Sequence, residues 1–181
     1  MSSLLRNCVV VVSLAGCAVG DELYPNHWDP LTASPSAGCR HLEGIYADRG
    51  DAPGHAAGAS FSRELFGKDG PWEKAASVRI DFATEDEVDV AVSVTEGKPF
   101  IRRFDAKTGE FACERGLMVL RNQRWIYSDV MSGRETVKIE LQAAGRHLAA
   151  HVYESATGVM FMAVPLSGES ARWYRFARLK P

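Results

Sequence analysis

Two histidines four positions apart, His147 and His151, are the pair best suited to metal chemistry in this 181-residue chain. On a helix they would share one face and could bind zinc. On a strand they point the same way but stand about 13 Å apart, which is too far for them to share one metal ion. Gly145 before the pair and Val152-Tyr153 after it favour the strand. We therefore expect both histidines on the solvent face of a sheet.

The familiar catalytic and cofactor motifs are not found in the sequence. It has no Gly-x-Ser-x-Gly elbow, no Ser-x-x-Lys pair, no phosphate-binding glycine loop and no Cys-x-x-Cys pair. The acidic run at 85–89 lacks the spacing and the central glycine of an EF-hand loop, and is typical of a solvated hairpin tip. The sequence thus predicts no catalytic residue, no metal site and no cofactor.

Two sets of side chains could still line a ligand site. Arg102-Arg103 and the alternating Arg172, Arg175 and Arg178 could meet an anion, although exposed strand arginines that discourage edge pairing are the favoured interpretation. Six aromatic residues could line a cavity or fill the interior of a small barrel, and a filled interior is favoured. They are Tyr46, Trp125, Tyr127, Phe161, Trp173 and Phe176. The ligand-binding residues stay unassigned at this level.

A cysteine near the start of the chain gives the clearest chemical signal. Cys17 follows an apolar run from Cys8 to Ala15, with Arg6 and the amino terminus supplying positive charge before it, as in a signal peptide. The run is too short for a transmembrane helix, which needs about 20 residues. The four residues that end in this cysteine resemble the lipobox of bacterial lipoproteins. They are Leu14-Ala15-Gly16-Cys17.

The lipobox resemblance implies that residues 1–16 are removed and that Cys17 becomes the lipid-bearing first residue. Acyl chains such as palmitate then anchor the protein, since each buried methylene adds about 0.8 kcal/mol of membrane affinity. In enteric lipoproteins an aspartate after the cysteine causes retention in the inner membrane. By that resemblance, Ala18 implies the outer membrane, with the domain facing the periplasm. An ordinary cleaved signal with a soluble product is the alternative.

The remaining cysteines predict a disulfide. Of the four cysteines in the chain, Cys8 leaves with the signal peptide and Cys17 carries the lipid. An odd free thiol is awkward in an oxidising compartment, so we predict that Cys39 and Cys113 pair. Closing so long a loop could stabilise the domain by about 4–5 kcal/mol in the chain-entropy model.

Patterning divides the rest of the chain into a tether and one β domain. Residues 17–38 carry the lipidated end and three prolines without periodicity, which predicts a flexible tether with Tyr24 and Trp28 as incidental aromatics. Docking of these two rings on the domain or the membrane is the alternative. Residues 39–181 alternate apolar and polar with period two, which is typical of half-buried antiparallel strands. Ser60–Gly67 predicts one short helix with a serine cap and a glycine stop.

The β pattern predicts an antiparallel meander of eight or nine short strands that closes into a small barrel or half-barrel. Gly116–Arg121 and Arg124–Ser128 are expected as separate strands. Turns are expected at six pairs that end in glycine. They are Glu96-Gly97, Thr108-Gly109, Ser132-Gly133, Ala144-Gly145, Thr157-Gly158 and Ser167-Gly168.

The segment from Cys39 to Tyr46 resembles the opening strand of lipocalin-like bacterial lipoproteins, in which Gly-x-Tyr or Gly-x-Trp begins the barrel. The helix at Leu65-Phe66, the hairpin Val78–Val94 and the terminal strand Trp173–Leu179 also fit such proteins. The resemblance implies an architecture more than an activity.

The leading functional hypothesis is a non-catalytic binding or interaction module in the cell envelope. A net charge of −2 gives no electrostatic footprint for nucleic acid. The expected partners are the membrane, through the lipid, and either an envelope protein or a small apolar ligand. One alternative is a small envelope hydrolase that uses His41, His147 or His151 with a carboxylate. Another is an inhibitor of a cell-wall enzyme.

Overall fold

A computed structural model describes residues 23–32, 38–54, 58–128, 130–161 and 164–180. The lipobox with Cys17 and the signal peptide expected over residues 1–16 lie outside this part of the chain. Its strands and single α-helix follow in chain order. They are β1 (Leu31–Thr32), β2 (Gly44–Ala47), β3 (Arg49–Gly50), β4 (Ala59–Ser60), α1 (Phe61–Phe66), β5 (Ala75–Phe82), β6 (Glu87–Val94), β7 (Phe100–Asp105), β8 (Phe111–Glu114), β9 (Leu117–Tyr127), β10 (Met131–Ala144), β11 (His147–Met160) and β12 (Val164–Lys180).

The main sheet is an antiparallel meander that curls into a barrel. Its strand order is β7-β6-β5-β2-β12-β11-β10-β9-β8, and β12 joins the two halves by pairing with β2. Side chains bridge the two ends of this order, because Arg102 of β7 donates at 2.8 Å to Asn122 of β9 and at 2.8 Å to Glu110 before β8. The expected all-β class and small lipocalin-like barrel are confirmed. Within the described residues, no helix is long and apolar enough to cross a membrane.

The apolar core lies between the sheet and α1. Period two produces it: in β6, Val88, Val90 and Val92 are fully buried, while Glu87 and Asp89 are partly exposed on the other face. Each fully buried side chain of this size stabilises the fold by about 1.5–3 kcal/mol relative to exposure. The largest fully buried side chains come from both halves of the meander. They are Tyr46, Phe61, Phe104, Phe176, Leu42, Leu65, Ile80, Met118, Leu120, Ile139, Leu141 and Leu148.

The single α-helix begins and ends where the sequence predicts. Ser60 is extended at φ −113° and ψ 116°, and its Oγ accepts a hydrogen bond from the Arg63 N–H at 3.3 Å. Gly67 ends the helix at φ +90°, a conformation that suits glycine. Phe61 stacks on Phe176 with ring centroids 4.6 Å apart, which holds α1 against the sheet.

The predicted disulfide is confirmed. Cys39 and Cys113 are bonded across a sequence separation of 74 residues. The bond links the turn before β2 to β8, the last strand in the sheet order. It therefore ties the free edge of the meander to the region where the meander starts.

Part of the expected tether packs on the barrel. Residues 23–32, here called the N-terminal strap, pair through Leu31 with Ala144 at the end of β10 and contact outward-facing side chains of β11 and β12. Trp28 is only 7% exposed and the guanidinium of Arg175 lies 5.0 Å from its ring centroid. The interpretation of Trp28 as an incidental linker aromatic is wrong, because the outer face of β11 and β12 supplies a surface on which the ring is buried.

Three of the expected turns are instead strand interiors. Gly133, Gly158 and Gly168 lie within β10, β11 and β12. Gly133 and Gly158 face each other in register, and a Cβ at Gly133 would lie 2.5 Å from the Thr157 carbonyl oxygen. The glycines here permit close approach of two strands and do not reverse the chain. The two strands expected within 116–128 are likewise one continuous strand, β9.

Candidate functional site: a charged cavity at the mouth of the barrel

A cavity of about 430 Å³ opens between α1 and the inner face of β9–β12, and is here called the mouth cavity. Five basic side chains and three acidic ones line it, together with Tyr174. The basic residues are Arg49, Arg63, Lys68, Arg124 and Arg172, and the acidic ones are Glu64, Glu135 and Glu154. Such a concentration of charge beside an apolar core predicts a polar, anionic occupant more than an apolar one.

The mouth cavity begins where the inward-facing side chains of the sheet change from apolar to charged. In β11 the inward-facing Leu148, Ala150 and Val152 are buried, and the next inward residue is Glu154. In β10 the inward Val137 is followed toward the mouth by Glu135, which lies opposite Arg124 of β9. In register, Glu154 lies opposite Val137, so the apolar core ends within one inward-facing row on β10 and β11, and the charged side chains meet there.

Arg124 lies at the centre of this arrangement. Its Nε contacts the Glu135 carboxylate, and both side chains are largely buried. Its Nη1 atom is also buried and has no hydrogen-bond partner among the described residues. Gly67 leaves room for it, since a Cβ there would lie 2.4 Å from Nη1. A buried donor without an acceptor costs about 1–3 kcal/mol, so a ligand oxygen or a water that reached Nη1 would be stabilised.

Glu64 is a carboxyl group of the cavity whose pKa is raised to near neutral pH. Burial, and after it the nearby Glu154 carboxylate, raise the pKa of Glu64 from 4.5 to about 7. The guanidinium groups of Arg172, Arg63 and Arg124 act in the opposite direction. Glu64 therefore gains or loses its proton near neutral pH, and with it the cavity changes charge by one unit.

Tyr174 and Arg172 form the wall of the cavity on β12. Arg172 donates to the Tyr174 hydroxyl oxygen, and this bond raises the pKa of Arg172. Burial, and then the neighbouring Glu64, raise the pKa of Tyr174. Arg172 thus stays charged and Tyr174 stays protonated, so both can donate hydrogen bonds to an anion.

Asp48 fixes the helix that carries Arg63 and Glu64. Its carboxylate is fully buried, accepting from Ser60 Oγ at 2.8 Å and from the Ser62 N–H at 2.8 Å. These bonds hold the start of α1 against the residue that links β2 and β3. Asp48 is a positioning residue, because it does not line the mouth cavity.

The histidines suspected from the sequence lie elsewhere. His147 Nδ1 is 3.3 Å from the Asp29 carboxylate on the outer surface. His151 is on the predicted strand, but it is only 7% exposed and stacks on Trp173 at 4.1 Å. The expectation of a solvent-exposed His151 is wrong, because the N-terminal strap covers that face. His41 Nδ1 lies 3.0 Å from the Gly38 carbonyl oxygen.

No group of three metal-ligating side chains occurs within the part of the chain that the structure describes. In particular, His147 and His151 do not meet at one point, because they lie on one strand with its regular spacing. His41, His147 and His151 are not among the residues that line the mouth cavity.

The suspected arginines are mostly paired on the surface. Arg103 holds Asp89 through two bonds of 2.7 and 2.8 Å, and Arg175 bonds Asp51. Arg172 is the exception that lines the cavity. Among the suspected aromatics, Tyr46 and Phe176 are in the core, Trp173 packs against the strap, and three lie exposed at the far end of the sheet. These three are Trp125, Tyr127 and Phe161.

Most residues of the cavity were missed by the sequence analysis. Arg124, Glu135 and Glu154 occupy positions of the inward-facing period at which the pattern elsewhere places apolar residues. The sequence did contain one signal of the cavity, because these charged residues stand at strand positions where the pattern calls for apolar ones. No protein-family model matches this chain, and neither does any curated protein or solved structure.

Proposed function

We propose that this protein is a non-catalytic binding module of the bacterial cell envelope, and that a small organic anion binds in its mouth cavity. The observation that carries the proposal is the charge of the cavity. Five basic side chains against three carboxyl groups leave an excess of two positive charges, or three when Glu64 is protonated. Guanidinium groups bind carboxylates and phosphates through paired hydrogen bonds.

The dimensions and lining of the cavity support a small ligand. Its volume of about 430 Å³ falls within the range of about 300–1,000 Å³ that is usual for small-molecule sites. Ala52 and Ala59 add apolar contacts beside the charged groups. The charged lining favours an anion over the small apolar ligand that the sequence suggested.

The location of the protein is part of the same proposal. The lipobox supports a lipid on Cys17, and Ala18 supports an outer-membrane destination with the domain in the periplasm. Growth with labelled palmitate should label the native chain and not a Cys17→Ser variant. An unlabelled, freely soluble native product would refute the lipid anchor.

Binding is tested with matched arginine variants. The purified domain should be titrated calorimetrically with dicarboxylates, phosphate monoesters and neutral amides of matched size. Arg172→Gln should weaken binding of the best anion at least about tenfold, because a charge-assisted bond is lost. Arg103→Gln is the control, since Arg103 is an exposed strand arginine paired with Asp89 outside the cavity. Equal affinity for neutral analogues, or equal losses in the two variants, would refute the anion site.

Among the residues that the structure describes, the hydrolase alternative is supported by one ion pair, His147 with Asp29. This pair lies on the outer surface, with side chains 26% and 50% exposed, and the mouth cavity is on the other face of the sheet. We therefore favour binding over hydrolysis.

A further inference from the structure

The four longest strands end in an exposed apolar surface beyond the mouth cavity. Trp125, Tyr127 and Phe161 are 67%, 74% and 64% exposed. Four aliphatic side chains of the same region are also exposed. They are Val130, Val159, Val164 and Leu166. These seven residues are here called the apolar tip. A soluble surface rarely groups so many large apolar side chains unless it contacts a partner or a lipid.

The apolar tip is apolar on both faces of the sheet. Trp125 and Tyr127 lie on the outer face, opposite Arg134 and Ser132 of β10 in register. On the inner face, Ile126, Met131 and Leu166 line an apolar groove of about 280 Å³ over Gly133 and Gly158. A folded partner docked on one face would leave the other exposed, whereas a bilayer interface surrounds the whole tip.

Followed toward the amino terminus, the N-terminal strap runs along the sheet in the direction of the apolar tip. Leu31 pairs with Ala144 at the far end of β10, and Asp29 reaches His147. Further back, Tyr24 packs against Trp173 with ring centroids 4.9 Å apart. Each step toward the amino terminus is thus a step along β11 and β12 toward the tip.

The remaining chain is just long enough to bring the lipid to the tip. Five residues separate Cys17 from Leu23, so the two are at most about 20 Å apart in an extended chain. From Trp173 along β12 to Ser167, which is in register with Thr157 and so level with the start of the tip, is also about 20 Å. An acylated Cys17 therefore keeps the tip within reach of its own membrane.

We infer that the apolar tip inserts into the interfacial layer of the bilayer that holds the lipid on Cys17. This inference rests on the proposed lipid anchor. Tryptophan and tyrosine favour the interface, where the ring is in an apolar layer and its polar atom meets water. Arg134 lies beside Trp125 and donates to Gln123, and its long side chain can carry its charge to a lipid phosphate. The Arg124–Glu135 pair is one inward-facing row behind the tip, so the mouth cavity then opens at the membrane surface.

Tryptophan quenching by brominated lipid tests the insertion. The acylated mature chain is incorporated into phosphatidylcholine vesicles with bromine on the acyl chains, after mass spectrometry has shown the lipid on the protein. Of the four tryptophans, Trp28 and Trp72 are buried and Trp173 packs against Tyr24 and His151, so Trp125 is the main reporter of contact with lipid. Strong quenching of the native chain and its loss in Trp125→Phe are expected. Equal quenching of both, or none in the native chain, would overturn the inference.

Variants of the other tip residues separate insertion from mere proximity. Tyr127→Ser with Phe161→Ser should reduce quenching of Trp125 at least about twofold while the thermal midpoint of the domain is retained. The matched control is Ile101→Ser with Leu179→Ser, two apolar residues that are 58% and 54% exposed and lie outside the tip. Equal quenching in both double variants would also overturn the inference. A chain without lipid refutes the anchor, whereas an acylated chain without quenching refutes only the insertion.

Discussion

At the scale of single residues, Glu64 makes the stability of the fold depend on pH. Its pKa is raised to about 7 in the folded protein, mainly by burial, against an ordinary value of 4.5. The folded state keeps a proton that the unfolded chain has lost, so stability falls as pH rises from about 4.5 to about 7 and is constant above that range. Each tenfold difference in proton affinity between the folded and unfolded states corresponds to about 1.4 kcal/mol, so the loss is at most about 3.5 kcal/mol.

Glu64→Gln should remove this loss, because glutamine cannot ionise. Urea unfolding at pH 5 and pH 8 measures it, with the variant gaining much more stability over the native chain at pH 8 than at pH 5. Glu73→Gln, an exposed substitution in the turn before β5, should keep the native pH dependence. A native chain whose free energy of unfolding does not decrease between the two pH values would contradict the raised pKa.

Asp48 is the residue on which the placement of α1 depends most. Asp48→Ala leaves the buried Ser60 hydroxyl and Ser62 N–H without their acceptor, and should lower the free energy of unfolding by about 3 kcal/mol. Asp81→Ala is the control, because its pair with Arg79 is about half exposed and should contribute less than about 1 kcal/mol. Chemical denaturation of both variants is the measurement. Similar losses would mean that the buried bonds do not hold the helix.

The sequence predicts a contact when the two partners are close in the chain, or when only one partner remains for a residue that must pair. Ser60 caps its own helix, and Cys39 and Cys113 were paired by elimination. Asp48 was missed because its partners lie 12 and 14 positions away. Arg124 was missed because its role depends on the register of β9 with β10. Such contacts depend on how the strands pair in the closed sheet, so residues adjacent in the sequence do not indicate them.

At the scale of elements, the alternation of apolar and polar residues located the strands. Their ends were predicted wrongly where a glycine was interpreted as part of a turn. Val88, Val90 and Val92 gave β6 directly, since one face of that strand is wholly buried. The pairs ending in Gly133 and Gly158 have the composition of turns, yet each glycine lies opposite the other inside a hairpin. A turn and a close approach of strands both require a missing side chain, and only the pairing of the strands distinguishes them.

The sequence pattern predicts a linker where the structure has the N-terminal strap. A matched pair of tryptophan variants tests whether the strap stabilises the barrel. Trp28→Ala should lower the free energy of unfolding by about 3 kcal/mol, since a buried ring is lost. Trp125→Ala should change it by less than about 0.5 kcal/mol, because that ring is 67% exposed. Urea unfolding measures both. Equal, small effects would show that the strap does not contribute to the stability of the barrel.

At the scale of the whole molecule, the sheet has three levels along its long strands. An apolar core fills one end, the charged mouth cavity follows, and the apolar tip ends the sheet. β10 runs through all three, from Ile139 in the core through Glu135 to Met131. The order of the levels gives the molecule a direction, and the strap runs toward the tip as it is followed back toward the amino terminus.

This layering should divide single strands into segments of different stability. Amides near Ile139 and Ala150 are covered by the core on one side, whereas those near Gly133 and Gly158 belong to a single sheet layer without α1 above it. Hydrogen exchange at the latter should be at least about 100-fold faster in solution, because local opening there exposes little buried apolar surface. Insertion into vesicles should slow exchange at the tip and leave the core unchanged. Uniform protection along β10 in solution would mean that another molecule, such as a second copy of the chain, already covers the tip.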